Sequence, residues 1–197
     1  MRIAITVDEV LRDTIGQIHY TYEKYVGELD IRETDIKDPD LSKTFKFQTK
    51  ELYNKFLYEA ASIEIFGHAD QKYPGVFDEA AEFLFDFYDD NEHEIVIVAK
   101  EHGRSVGATL FFFSKVNNSF REFKFIDSYE KIWDEFDIII TATPELLNLK
   151  PENKTSVKVI TGYNKKTLSD FKVKTLGEVL TNPKIFDKII KNKKNKL

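Results

Sequence analysis

The sequence predicts an α/β fold, a parallel sheet of about five strands flanked by helices, with a helical cap inserted after strand one. Three observations predict it. Short apolar runs of strand length recur at RIAITV (2–7), EIVIVA (94–99), FKFI (123–126), DIIIT (137–141) and SVKVIT (156–161). From residue 94 onward these runs alternate with helical patterns, and that alternation makes crossover units whose sheet is parallel and covered on both faces. Between Thr14 and Asp90 the signal is helical throughout, so the first strand is separated from the second by an insert.

Taken in order, RIAITV is apolar and β-branched, and the following DEVLRDT leads out of it as a loop. TIGQIHYTYEKYV, QTKELYNKFLYEAASIEIF and FDEAAEFLFDFYDD carry helical periodicity, separated by breaks near Asp38-Pro39 and Tyr73-Pro74-Gly75. EIVIVA is the second strand, RSVGATLFFFSKV (104–116) a buried helix, FKFI a strand, SYEKIWDEF (128–136) a helix and DIIIT a strand. SVKVIT is the last strand, and TLGEVLTN with PKIFDKIIKNKKNK supplies the final helices. The division is then a core of residues 1–13 and 91–197, with residues 14–90 as the helical cap. The Lys/Asn-rich end KNKKNKL fits either a solvated helix terminus complementing the helix dipole or a basic tail for an acidic partner or nucleic acid.

Composition bounds the function. At 197 residues and 42% hydrophobic content the chain can bury a sizeable core, and a net charge of −5 gives the main body no footprint for nucleic acid. Without cysteine there is neither a disulfide framework nor a thiolate metal site, and the four histidines lack ligand spacing. His68 reads as a polar loop residue, and Trp133 as packing. No signal-like or membrane-spanning run occurs, so the expectation is a cytoplasmic protein.

Loops beyond the C-terminal strand ends carry function in such sheets. The first of them, ITVDEVLRDT, resembles the motif Asp-x-Asp-Gly-x-(Leu/Val) of the haloacid dehalogenase (HAD) superfamily, with Thr6 at the first Asp, Asp8 at the second and Glu9 at the Gly. EIVIVAKEHGRSVGATLFFFSK resembles the second-strand region of phage and bacterial nucleotidase-like members, with Ala99 where a Ser or Thr holds phosphate. DIIITATPELLNLKPENKTSVKVITGYNK resembles the acidic motif, with Thr141 and Ala142 at the Asp pair. The motif-three lysine is left open between Lys100, Lys115 and Lys131.

The resemblance implies a HAD-like (Rossmannoid) core with its cap after strand one. It also implies what is missing. In that family an aspartate forms an aspartyl-phosphate beside magnesium held by carboxylates of the first and acidic motifs. Thr6 has no carboxylate, Asp8 alone survives, and Asp137 lies at the other end of its strand, about 13 Å away by strand rise. The expectation is therefore no catalytic residue, no metal and no cofactor. Lys100 and Arg104, beside Glu101 at a helix start, are candidates for residual anion binding.

The insert carries an aromatic stripe of Tyr20, Tyr22, Tyr25, Phe45, Phe47, Tyr53, Phe56, Phe66, Phe83, Phe85 and Phe87, more than a small cap needs for itself. Part of it reads as core and part as an association surface. The resulting expectation is a structural or assembly subunit, a homo-oligomer or part of a larger particle such as a phage connector or tail ring. Two alternatives stand beside it: a magnesium-dependent nucleotidase-like phosphohydrolase, and a regulatory module that binds a nucleotide or phosphate.

Overall fold

The computed structural model describes residues 1–32, 35–38, 40–88, 93–116, 120–181 and 189. Among these residues six parallel strands form one sheet in the order β3-β2-β1-β4-β5-β6. They are β1 (Arg2–Thr6), β2 (Glu94–Lys100), β3 (Phe123–Ile126), β4 (Ile138–Thr141), β5 (Thr155–Val159) and β6 (Phe171–Val173). The helices are α1 (Thr14–Tyr25), α2 (Leu41–Thr44), α3 (Lys50–Lys55), α4 (Val76–Tyr88), α5 (Arg104–Lys115), α6 (Ile132–Glu135), α7 (Pro144–Asn148) and α8 (Gly177–Thr181).

Each central strand is apolar on both sides because both faces are covered. Ile3, Ile5, Ile95, Ile97, Ile138 and Ile140 face one layer, where Phe77, Phe83 and Phe112 from α4 and α5 pack. Ala4, Val96, Val98 and Ile139 face the other, against Tyr129, Trp133, Phe136 and Leu146. Trp133 also donates its indole N–H to the carbonyl of Leu146 at 2.9 Å, so it is a packing residue with its polar edge satisfied.

A separate apolar cluster holds the cap, with Ile18, Tyr22, Phe45, Tyr53, Phe56 and Ile65 at its centre. The single long helical pattern at 48–66 is three pieces: α3 and two π-helical turns, Phe56–Ala60 and Ile63–Gly67. The second turn lies close against α5, where a Cβ added to Gly67 would stand 3.3 Å from the carbonyl of Ala108. By its buried contacts α4 belongs with the sheet rather than with this cluster, although it lies within residues 14–90.

The aromatic stripe is mostly interior. Tyr22, Phe45, Tyr53, Phe56, Phe66 and Phe83 are buried, Phe47 packs against the cap cluster, and Tyr20 and Tyr25 are the exposed members. The side chains of Phe85 and Phe87 lie outside the described residues, as does the basic end KNKKNKL. No helix among the described residues is long and apolar enough to cross a membrane.

Candidate functional site

The chain leaves β1 toward β2 and β3 on one side and later returns to β4, β5 and β6 on the other. That order puts a switch point, where ligands gather in open α/β sheets, at the C-terminal ends of β1 and β4. A cavity of about 240 Å³ opens there, roofed by the cap. The loop after β1 contributes Asp8 and Glu9, the end of β2 contributes Lys100, and the segments after β3, β4 and β5 contribute Tyr129, Glu145 and Tyr163. From the cap come Asp40, Tyr53, Tyr58 and Phe66.

Below this cavity, the register that pairs Ile5 with Ile140 brings Thr6 and Thr141 side by side. Both are buried, the hydroxyl of Thr6 donates to that of Thr141 at 3.0 Å, and Thr141 also accepts from the backbone N–H of Thr143. Neither residue lines the cavity, and neither do Ala99 or Ala142.

Asp8 is held from behind by a buried guanidinium. Arg12, with no exposure, reaches Asp8 Oδ1 and Glu101 Oε1 with Nη2 at 2.6 Å each, the Phe66 carbonyl with Nη1, and Thr14 with Nε. Thr14 also donates to Asp8 Oδ1, at 2.6 Å. Thr109 joins by bonding to both Arg12 and Glu101, and the ring of Phe66 lies under the guanidinium with 4.9 Å between carbon and centroid. Burial works against the charge on Arg12, but Asp8 and Glu101 outweigh it and its pKa is raised; burial likewise raises that of Glu101. Asp8 Oδ2 accepts no hydrogen bond among the described residues, and its side chain remains 32% exposed at the cavity.

Glu9 adopts a positive φ of 61°, a conformation that favours glycine. Its buried carboxylate caps the backbone N–H of Ile15 at 2.8 Å and pairs with Lys72 at 2.6 Å. Burial pushes its pKa up to about 7 despite that ammonium. Lys72, for its part, is raised because Glu9 and Asp13 outweigh its own burial.

Among solved structures the fold is similar to a Bacteroides fragilis protein assigned to the haloacid dehalogenase-like hydrolases. The TM-score is 0.61 at 12% identity, covering 90% of this chain and 98% of that one. A protein of the same assignment from Burkholderia xenovorans LB400 gives a TM-score of 0.55 at 11% identity, covering 94% of this chain and 97% of that one. The fold is haloacid dehalogenase-like. No family model and no curated protein matches the sequence.

The loop after β1 puts Asp8 at the cavity, and Thr6 is buried beside Thr141. Sequence reasoning did not single out Arg12, Thr109, Lys72 or Tyr58, and treated Glu101 only as a neighbour of the anion candidates. The one available signal was an arginine directly after the apolar Val10-Leu11. Of the lysines left open, Lys100 lines the cavity, whereas Lys115 lies over the rings of Phe111 and Phe112. Arg104 is exposed in the first turn of α5 and does not line it.

The donor set does not fit magnesium. A divalent ion favours charged oxygen ligands, and at the positions where the family resemblance calls for them it would find two neutral hydroxyls bonded to each other and one carboxylate already paired with a guanidinium. No group of three acidic or histidine side chains suited to a metal occurs among the described residues.

Proposed function

We propose that this HAD-like protein has lost phosphoryl-transfer chemistry and uses its cavity to bind a ligand rather than turn one over. The observation that carries the proposal is the buried Thr6–Thr141 hydroxyl pair, sealed below the cavity floor at the strand ends where the family resemblance calls for carboxylates. A nucleophile needs access to the reacting atom and an adjacent base. Thr6 has neither, because it does not line the cavity and its hydroxyl donates to Thr141 rather than to a carboxylate.

The test is a magnesium-dependent assay against nucleoside monophosphates and an aryl phosphate. No turnover above that of Thr6→Val and Asp8→Asn is expected. Turnover abolished by either variant would sink the proposal and support the nucleotidase alternative.

An assembly role, including a place in a phage particle, is a second reading. It rests on the outer cap surface, where Tyr20, Tyr25 and Ile63 are each more than half exposed. Light scattering on the full chain decides it, since a strict monomer at high concentration removes a homo-oligomeric role.

A further inference from the structure

Resting on the reading that the cavity binds without turnover, we infer that its ligand is a small protonated organic amine, received by Asp8 and the tyrosines gathered around it. The charge of the lining points this way. Among the described residues four carboxylates (Asp8, Glu9, Asp40 and Glu145) line the cavity with one ammonium, Lys100, which pairs with Glu145 at 3.3 Å; Glu9 is paired with Lys72 and Asp8 Oδ1 with Arg12, so Asp8 Oδ2 and Asp40 are the oxygens left to a ligand. Arg12 offers no help to an anion, since it is fully buried, every one of its nitrogens is hydrogen-bonded, and it does not line the cavity. A phosphate entering here would face the open oxygen of Asp8.

Unpartnered acceptors give the second, independent indication. Tyr53 is 6% exposed and Tyr58 half-buried; both line the cavity, and neither hydroxyl makes a hydrogen bond among the described residues. Neither hydroxyl is sealed from the cavity, so a ligand there can supply the partner that the protein does not. Tyr53, Tyr58, Tyr129 and Tyr163 line the same cavity as Asp8, and burial raises the pKa of each phenol. With Asp8 Oδ2 they form a set of acceptors suited to the N–H groups of an ammonium.

Ring faces supply the third. Aromatic faces attract organic cations, and the protein shows the preference within its own site: Lys100 Nζ sits 4.8 Å from the centroid of Tyr129. Tyr58, between Phe66 at 5.6 Å and His102 at 4.4 Å, is a further ring on the lining. The cavity, at about 240 Å³, lies below the ~300–1,000 Å³ of drug-sized sites, so the ligand is a short amine rather than a nucleotide.

Calorimetry on the full chain at low salt, without magnesium, tests this with 1,4-diaminobutane as the probe and inorganic phosphate and adenosine monophosphate as controls. Saturable heat at millimolar or lower diamine and none with the two anions is expected. Tyr58→Leu should weaken the diamine at least tenfold, and Tyr58→Phe, which keeps the ring and so protects the fold, should weaken it by a smaller factor. No diamine heat, heat indifferent to both variants, or binding of the anions in its place overturns the inference. Because turnover is read in a separate assay with magnesium, a phosphatase result overturns the non-catalytic reading, whereas silent calorimetry with no turnover overturns this inference alone.

Discussion

Arg12 is the residue on which the site depends, and its chemistry sets a clear expectation. A buried guanidinium shared by two carboxylates offsets desolvation only while the set is complete, so removing one partner leaves uncompensated charge. Arg12→Met should therefore lower unfolding free energy by about 3–5 kcal/mol in denaturant titration. Adding Glu101→Gln should recover part of that loss, because it removes one of the two orphaned carboxylates. Equal loss in single and double variants would mean that the guanidinium acts through packing on Phe66 and Phe112 rather than through charge.

Glu9 gives a second expectation with a defined sign. Its pKa rises from 4.5 to about 7 on folding, so the folded state holds the proton more tightly than the unfolded chain. The resulting stabilisation is fully present below pH 4.5 and is lost as pH rises to about 7. The stability of the native protein relative to Glu9→Gln should fall across that window by roughly 3 kcal/mol, at about 1.4 kcal/mol per unit. A pH-independent difference, measured by chemical denaturation at several pH values, would show that Lys72 holds Glu9 ionised throughout.

At the scale of elements, the strands were readable because a parallel strand buried on both faces is a continuous apolar run that needs no alternation. β6 escaped notice because FKV is only three residues long, with Phe171 partly buried and Lys172 exposed at the sheet edge. α7, PELLN, is a five-residue helix between two strand-like runs and leaves little periodic signal. The break of residues 48–66 into α3 and two π-helical turns is invisible to apolar periodicity, since a one-residue widening of a turn changes hydrogen bonding without changing composition. In the site, Thr6 and Asp8 could be singled out because one closes and the other follows a recognisable strand. Glu101 and Thr109 meet Arg12, and Tyr58 joins Asp8 at the cavity, only through the fold, from places far apart in the chain.

The second π-helical turn has its own prediction. Gly67 lies against α5, with Phe111 Cδ1 at 3.2 Å and the Ala108 carbonyl at 3.3 Å from where a Cβ would sit, and the carbonyl belongs to a helix backbone that cannot turn aside. Gly67→Leu should cost about 1–3 kcal/mol by overpacking and pry the cap from α5, read as a lower Tm. An unchanged Tm would mean that the turn can slide along α5.

At the scale of the molecule, two packing systems meet across one cavity. The sheet carries its own clusters on both faces, whereas the cap cluster takes only Ala108 from the fully buried apolar residues of α5. Arg12 crosses between them, anchored to Asp8 in the core and to the Phe66 carbonyl in the cap. Smaller buried units at the periphery open at lower free energy than a central sheet. Amide hydrogens of residues 50–67 should therefore exchange faster than those of β1, β2 and β4. A ligand that bridges Asp8 to Tyr53 and Tyr58 touches both systems, so saturating 1,4-diaminobutane should slow exchange in residues 50–67 while leaving the strands unchanged. Equal slowing everywhere would mean that the cap and the sheet open as one unit, and slowing confined to the strands would place the ligand away from the cap.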